Sequence, residues 1–305
     1  MAKSSDVDLR NPAFLDLIGP DARLERIWTG GLWCEGPVWL HDEQALLWSD
    51  IPNQRVMRWR QAAVVDVWME PSHFANGHTI DREGRVISCE HGARAVTRRE
   101  KDGTFTTLAD AYEGKRLNSP NDVVVKSDGT IWFTDPPYGI LSDYEGYKAE
   151  SEIGGNYVFR LDPETGALSI VARDLDKPNG LAFSPDERTL YIADTGFSHT
   201  PGGPHHIRAY DVVDGECLSN SRVFAVIEPG GPDGFRVDKS GNVFASAWDG
   251  IQVFAPSSEM LGKILVPEKT ANCAFGGADG KRLFITASKS LYAIDVKTTP
   301  AGWPS

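Results

Sequence analysis

Cysteine is scarce. The chain has four in 305 residues, Cys34, Cys89, Cys217 and Cys273, and no two stand at CxxC spacing. That speaks against a zinc ribbon or a disulfide framework and favours buried, reduced thiols in a cytoplasmic protein, with a Cys34–Cys273 bridge left open. Long apolar runs are missing too. No segment reaches the roughly 18 apolar residues of a membrane span. The opening MAKSSDVDLRNPAFLDLIGP has no apolar stretch of signal-peptide length. Basic residues are in deficit, 31 Lys and Arg against 43 Asp and Glu, for a formal charge of −12. Such a balance argues against a nucleic-acid partner and suits a protein that holds a cation. The GxSxG elbow, the P-loop and HExxH are all absent, which removes serine-hydrolase, nucleotide and zincin readings.

Glycine (30) and tryptophan (9) are plentiful instead, a mix that suits many short strands and tight turns. Six segments share one pattern, a turn followed by a strand ending in a small or acidic residue: HDEQALLWSD, DREGRVISCE, KSDGTIWFTD, PDERTLYIAD, DKSGNVFASA and DGKRLFITA. They end at residues 50, 90, 135, 194, 247 and 287, a recurrence of about 47 residues, which is the length of a propeller blade. Each is preceded by a strand, and two more usually follow, so the unit is four antiparallel strands. The last repeat lacks an outer strand, and LERIWTG (24–30) lies before the first repeat. The expected fold is therefore an all-β, six-bladed propeller formed by residues 1–305 as one domain. Residues 1–23 are its N-terminal extension, and strand 24–30 closes the ring against 290–296.

The residue that opens each inner strand is Glu35, Asn76, Asn121, Asn179, Asp233 or Asn272, each 14 or 15 positions before its repeat end. Alone, an Asn-Gly or Asp-Gly pair reads as a turn. Six oxygen donors in register read better as a ring at one mouth of the channel. Asp, Glu and Asn oxygens are ligands of hard cations, two carboxylates neutralise a 2+ ion, and the ring has no His or Cys to favour zinc or copper. One Ca²⁺ in the central tunnel is expected, with other divalent ions open.

At these residues the sequence resembles the senescence-marker-protein/gluconolactonase (regucalcin-like) family, its bacterial gluconolactonase branch in particular. The motifs are EGPVW (35–39), ANGHTID (75–81), LNSPNDVVVKSDGTIWFTDPPYG (117–139), PNGLAFSPD (178–186) and PDGFRVD (232–238). The resemblance runs from Glu35 to Thr286. It implies a six-bladed propeller, hydrolysis of sugar lactones or, in some relatives, of organophosphates, metal ligands at Glu35, Asn179 and Asp233, and a polar neighbour of metal and substrate at Asn121. Where animal members carry a sugar-binding Arg this chain has Ser119, so its sugar contacts are expected to differ.

Asp233 is the candidate general base as well as a ligand, and Asn121 the candidate for orienting substrate or water. Chain direction puts the loops 136–155 and 195–206 at the same mouth, where long loops often act as lids. Tyr138 and His199, with Asn76 of the ring, are candidate substrate contacts, and His205 and His206 lie in the second loop. His78 reads as a strand residue. Asp50, Glu90, Asp135 and Asp194 end the second strands and either hold a second ion or cap turn amides. Three functions compete: a Ca²⁺-dependent lactonase, a phosphotriesterase on the same metal, and a non-enzymatic scaffold, which has no need of a donor ring.

Overall fold

In five of the six hairpins between first and second strands an aspartate at the turn captures the chain. Asp81 Oδ1 accepts from the Glu83 and Arg85 amides (both 2.9 Å), Asp128 from Thr130, Asp186 from Arg188, and Asp238 from Ser240 and Asn242. Side-chain capping of this kind pins a turn without tertiary help. The computed structural model describes residues 6–61 and 64–302. Within them these hairpins belong to six antiparallel sheets.

Blade one is Cys34–Leu40, Ala45–Asp50, Arg55–Arg60 and Val64–Met69; blade two is Ala75–Ile80, Val86–Glu90, Ala95–Arg99 and Phe105–Ala109. Blade three is Val123–Val125, Ile131–Asp135, Tyr157–Leu161 and Leu168–Ala172; blade four is Pro178–Phe183, Thr189–Asp194, His206–Val213 and Cys217–Val226. Blade five is Phe235–Val237, Val243–Ala247, Gly250–Phe254 and Met260–Leu265. Thr270–Gly276, Arg282–Ala287 and Ser290–Asp295 make blade six, whose outer strand is Glu25–Thr29, paired antiparallel with Ser290–Asp295. The expected closure by the N-terminal strand is thus present. First strands touch in cyclic order, from Cys34–Leu40 round to Thr270–Gly276 and back.

The core sits between blades as wedges rather than as one centre. Trp39, Trp48, Trp59 and Phe284 fill the seam of blades six and one, Phe133 and Phe159 help fill that of two and three, and Phe244, Cys273 and Ile285 that of five and six. Second strands such as Ile131–Asp135 are buried along their whole length, since both faces of an inner strand meet a neighbouring blade; this is why they read as apolar runs rather than alternations. Cys34, Cys89 and Cys273 are buried and all four thiols are free, so the open Cys34–Cys273 pairing is not made.

The N-terminal extension is not idle. Val7–Leu9 adds a fifth strand to blade five against Met260–Leu265, and the turn Pro12–Asp16 drops a fully buried Phe14 into the five–six seam. Nothing in the residue pattern of 1–23 marks that strand.

Of the two roles open to the acidic strand ends, the structure shows the capping one. Asp135 accepts from the amides of Asn118 and Ser119 (both 2.8 Å), Asp194 from those of Asp176 and Lys177, and Asp50 from that of Leu32; Glu90 instead accepts from the Thr97 hydroxyl. Each Asp holds the loop that leads into its own inner strand. Asp135→Asn turns an amide NH₂ toward one of two buried N–H groups and is expected to lower unfolding free energy by about 1–3 kcal/mol, read from the denaturant midpoint; a loss below about 0.5 kcal/mol would remove the bracing role.

Candidate functional site

Why do four of the six ring residues precede glycine? The turn reading is incomplete. A Cβ on Gly36 would stand 1.9 Å from the carbonyl oxygen of Asn76, one on Gly77 2.6 Å from that of Asn121, one on Gly180 2.4 Å from that of Asp233, and one on Gly234 1.9 Å from the Asn272 side chain. Each glycine lets its strand close onto the ring residue of the next blade. Gly77 and Gly180 donate their N–H to the Asn121 and Asp233 carbonyls at 2.8 and 3.1 Å, the Thr134 hydroxyl donates to the Asn179 carbonyl (2.8 Å), and Asn272 Nδ2 reaches Glu35 Oε2 at 3.1 Å. The six residues therefore form a closed circle, five of them buried and Asp233 partly open.

The circle is not uniform. Asn272 turns its NH₂ to Glu35 and its Oδ1 to the Cys273 amide, so it braces Glu35. Asn76 Nδ2 faces Nε2 of the buried His91 at 3.3 Å. Glu35 and Asp233 remain as the charged members, with Asn121 and Asn179 as neutral donors. Burial pushes the Glu35 carboxyl up to about 7 against the Gly36 N–H and the Asn272 amide, and Asp122 and Glu145 add to the rise. Burial is also the main cause that lifts Asp233 well above the usual carboxylate range, followed by the charge of Glu35, while Asn179 opposes. Among the described residues no lysine or arginine pairs with either.

Two carboxylates of one ring, close enough for Asp233 to feel the charge of Glu35 and with no cationic partner among the described residues, fit a hard divalent cation alongside the ring's amides. Among the described residues no three His, Cys, Asp or Glu side chains are grouped for metal binding, so such an ion would rest on two carboxylates plus Asn121 and Asn179. The mouth is also acidic beyond the ring. Asp122 is buried beneath it, 3.7 Å from Arg236. Asp122, Arg236, His91 and Glu145 were all missed in the sequence; the one available signal was that Asp122 occupies the place held by glycine after Glu35, Asn76, Asn179 and Asp233.

The loop 136–155 is tied down over this mouth. Its first turn, Tyr138–Leu141, is anchored by Ser119, whose hydroxyl donates to the Pro136 carbonyl (2.6 Å) and accepts from the Gly139 amide (2.9 Å). Ser119 is fully buried. The Tyr138 hydroxyl is buried beside the Ser198 and Thr195 side chains, with no hydrogen bond of good geometry among the described residues, and its ring lies 5.7 Å from that of His199. Burial raises its pKa, and it lies close enough to feel Asp233. His199 is exposed on the second loop, with Nδ1 2.9 Å from the Ser198 hydroxyl. His205 Nδ1 meets the Ile227 carbonyl, and His206 belongs to a strand of blade four, its Nε2 buried without a hydrogen-bond partner among the described residues. His78 is the strand residue expected, clamped by Ser49 and Ser88 at 2.8 Å each.

Comparison with known proteins points one way. A family model described as the SMP-30/Gluconolactonase/LRE-like region matches residues 33–289. The gluconolactonase of Zymomonas mobilis is 35% identical over 314 residues, covering 95% of this chain and 85% of the relative. A pentonolactonase of Haloferax volcanii is 31% identical, covering 83% and 81%. A solved gluconolactonase of Xanthomonas campestris superposes with a TM-score of 0.90 at 39% identity, over 97% of this chain and 96% of the other. With the match spanning every blade and all six ring positions, the chain belongs to the SMP-30/gluconolactonase/LRE-like family.

Proposed function

We propose that this protein is a metal-dependent lactonase that opens sugar lactones such as gluconolactone, with one Ca²⁺ held by Glu35, Asn179, Asp233 and Asn121. The observation that carries the reading is the Glu35–Asp233 pair, two carboxylates that raise each other's charge cost and have no cationic partner among the described residues. The relatives named gluconolactonase and pentonolactonase favour a sugar lactone over a phosphotriester.

When bound, the ion supplies Lewis-acid polarisation of the lactone carbonyl and stabilises the developing oxyanion. The remaining work falls to the chain. Asp233, the ring member most open to the mouth, takes the proton of the attacking water as general base. Asn121 orients water or substrate, Glu35 is kept in place by the Asn272 amide and the Gly36 N–H, and the partly exposed Tyr138 contacts the lactone. The loop above limits water at the site.

The test is a hydrolysis screen of sugar lactones, aliphatic lactones and phosphotriesters, with and without chelator. Sugar lactones are expected to turn over fastest, with activity falling at least about a hundredfold on chelation and returning with Ca²⁺. Phosphotriesters as the best substrates, or chelator-resistant turnover, would reject the reading.

A further inference from the structure

Deeper in the loop 136–155 lies a carboxylate, Glu145, that has no hydrogen-bond or ion-pair partner among the described residues. The segment Glu145–Tyr147 is fixed by three contacts. His91 Nδ1 donates to the Glu145 carbonyl at 3.0 Å. Gly146 packs so closely on Gly139 that a Cβ would stand 2.0 Å from its carbonyl oxygen. The Tyr147 ring meets Phe74 edge-on at 5.2 Å. The same His91 faces ring member Asn76 through its other nitrogen. One imidazole, buried and donating from Nδ1, thus links the donor circle to this part of the loop and leaves the Asn76 oxygen free to face away from it.

The Glu145 side chain held by this clamp is half-buried. Among the described residues it has no hydrogen-bond or ion-pair partner; burial alone perturbs it. The His91 bridge ties its backbone to ring member Asn76, and it is close enough for both Glu35 and Asp233 to feel its charge. The nearby cations are committed elsewhere, Lys177 to Asp176 at 3.0 Å and Arg236 to Asp122. Ser119 cannot reach a ligand, because its hydroxyl is buried and both of its hydrogen bonds go to the loop.

We propose that Glu145 is a substrate-selecting residue: its carboxylate accepts hydrogen bonds from the hydroxyls of a neutral polyhydroxy lactone and repels lactones carrying an anionic substituent. The proposal rests on the lactonase reading. A divalent ion would neutralise Glu35 and Asp233, and above the pH of about 7 to which burial raises its carboxyl, Glu145 would carry the surplus negative charge at the mouth. An unpartnered carboxylate is well matched to hydroxyl donors and opposes a phosphate or sulfonate on the same sugar.

The experiment compares wild type and Glu145→Gln on D-glucono-1,5-lactone and on its 6-phosphate at saturating Ca²⁺, at a pH above the value of about 7 to which burial raises the Glu145 carboxyl. Gln keeps the shape and loses the charge. The variant is expected to raise KM for the neutral lactone about tenfold while kcat stays within about threefold, and to lower KM for the phosphorylated lactone about fivefold. Because the carboxylate has no partner in the fold, the melting midpoint should not fall, and a purely structural residue would not shift the two KM values in opposite directions. A preference ratio that changes by less than about threefold, or equal losses of kcat and kcat/KM, overturns the proposal while leaving the lactonase reading intact. A wild type that opens neither lactone overturns both.

Discussion

Asp233→Asn, assayed on gluconolactone at saturating Ca²⁺, loses about a thousandfold in kcat and does not regain it as Ca²⁺ is raised further. The Asn side chain keeps one oxygen toward the circle, so a ligand survives, but it cannot accept the proton of the attacking water; general-base loss is worth roughly 10²–10⁴. Glu35→Gln removes an equal formal charge from a different job. Glu35 is deeply buried and held by Asn272 and the Gly36 N–H, with no opening for a proton in transit. Its variant should need about ten- to a hundredfold more Ca²⁺ and then recover most of its kcat, since weaker ligation is compensated by mass action. The measurement is a pair of Ca²⁺ titrations of lactone hydrolysis. Full recovery of Asp233→Asn would reduce Asp233 to a ligand and move the base to the loops.

Gly180→Ala should be strongly destabilising for a single added methyl group. No unusual backbone angle is involved there, so its effect isolates close approach: the new Cβ would stand 2.4 Å from the Asp233 carbonyl oxygen and 2.7 Å from Gly234 Cα. Backbone on both sides leaves nothing flexible to yield, and the Gly180 N–H bond to Asp233 (3.1 Å) must stretch as well. A loss of about 3 kcal/mol or more is expected, at the upper end for overpacking. Gly166→Ala is the control. Its φ is +72° but nothing lies within 4 Å of the added methyl, so the strain of a left-handed alanine, about 1 kcal/mol, is all it should show. Denaturant unfolding of the two variants checks the contrast, and a Gly180→Ala loss below about 1 kcal/mol would mean the blades can slide apart at the mouth. That outcome would also weaken the argument that glycine follows ring residues for packing.

The blade strands were legible because the information is local. Turn aspartates two residues before the amides they cap, β-branched and aromatic runs, and a fixed recurrence all lie within a few positions of one another. Equivalence of the six opening residues followed from that recurrence, since equal places in a repeat become equal places around a channel. The loop's position at the mouth followed from strand direction alone. The resemblance to relatives went further and singled out Glu35, Asn179, Asp233 and Asn121, which periodicity could not distinguish from Asn76 and Asn272.

What divides the circle is a set of contacts between residues far apart in the chain. Asn272 braces Glu35 across 237 positions, and His91 links the Asn76 amide to a carbonyl 54 residues away from itself. The fifth strand Val7–Leu9 and the seat of Phe14 likewise depend on an edge and a seam that exist only once blades five and six are assembled. Composition and repeat thus determined the propeller, its six blades and the ring of oxygen donors. Tertiary structure alone decided which donors brace and which stay free, and which carboxylates crowd the mouth. The physical reason is that strand pairing follows a short-range period, whereas the direction of a buried amide and the company of a buried charge depend on whichever partner the closed ring brings within about 3 Å.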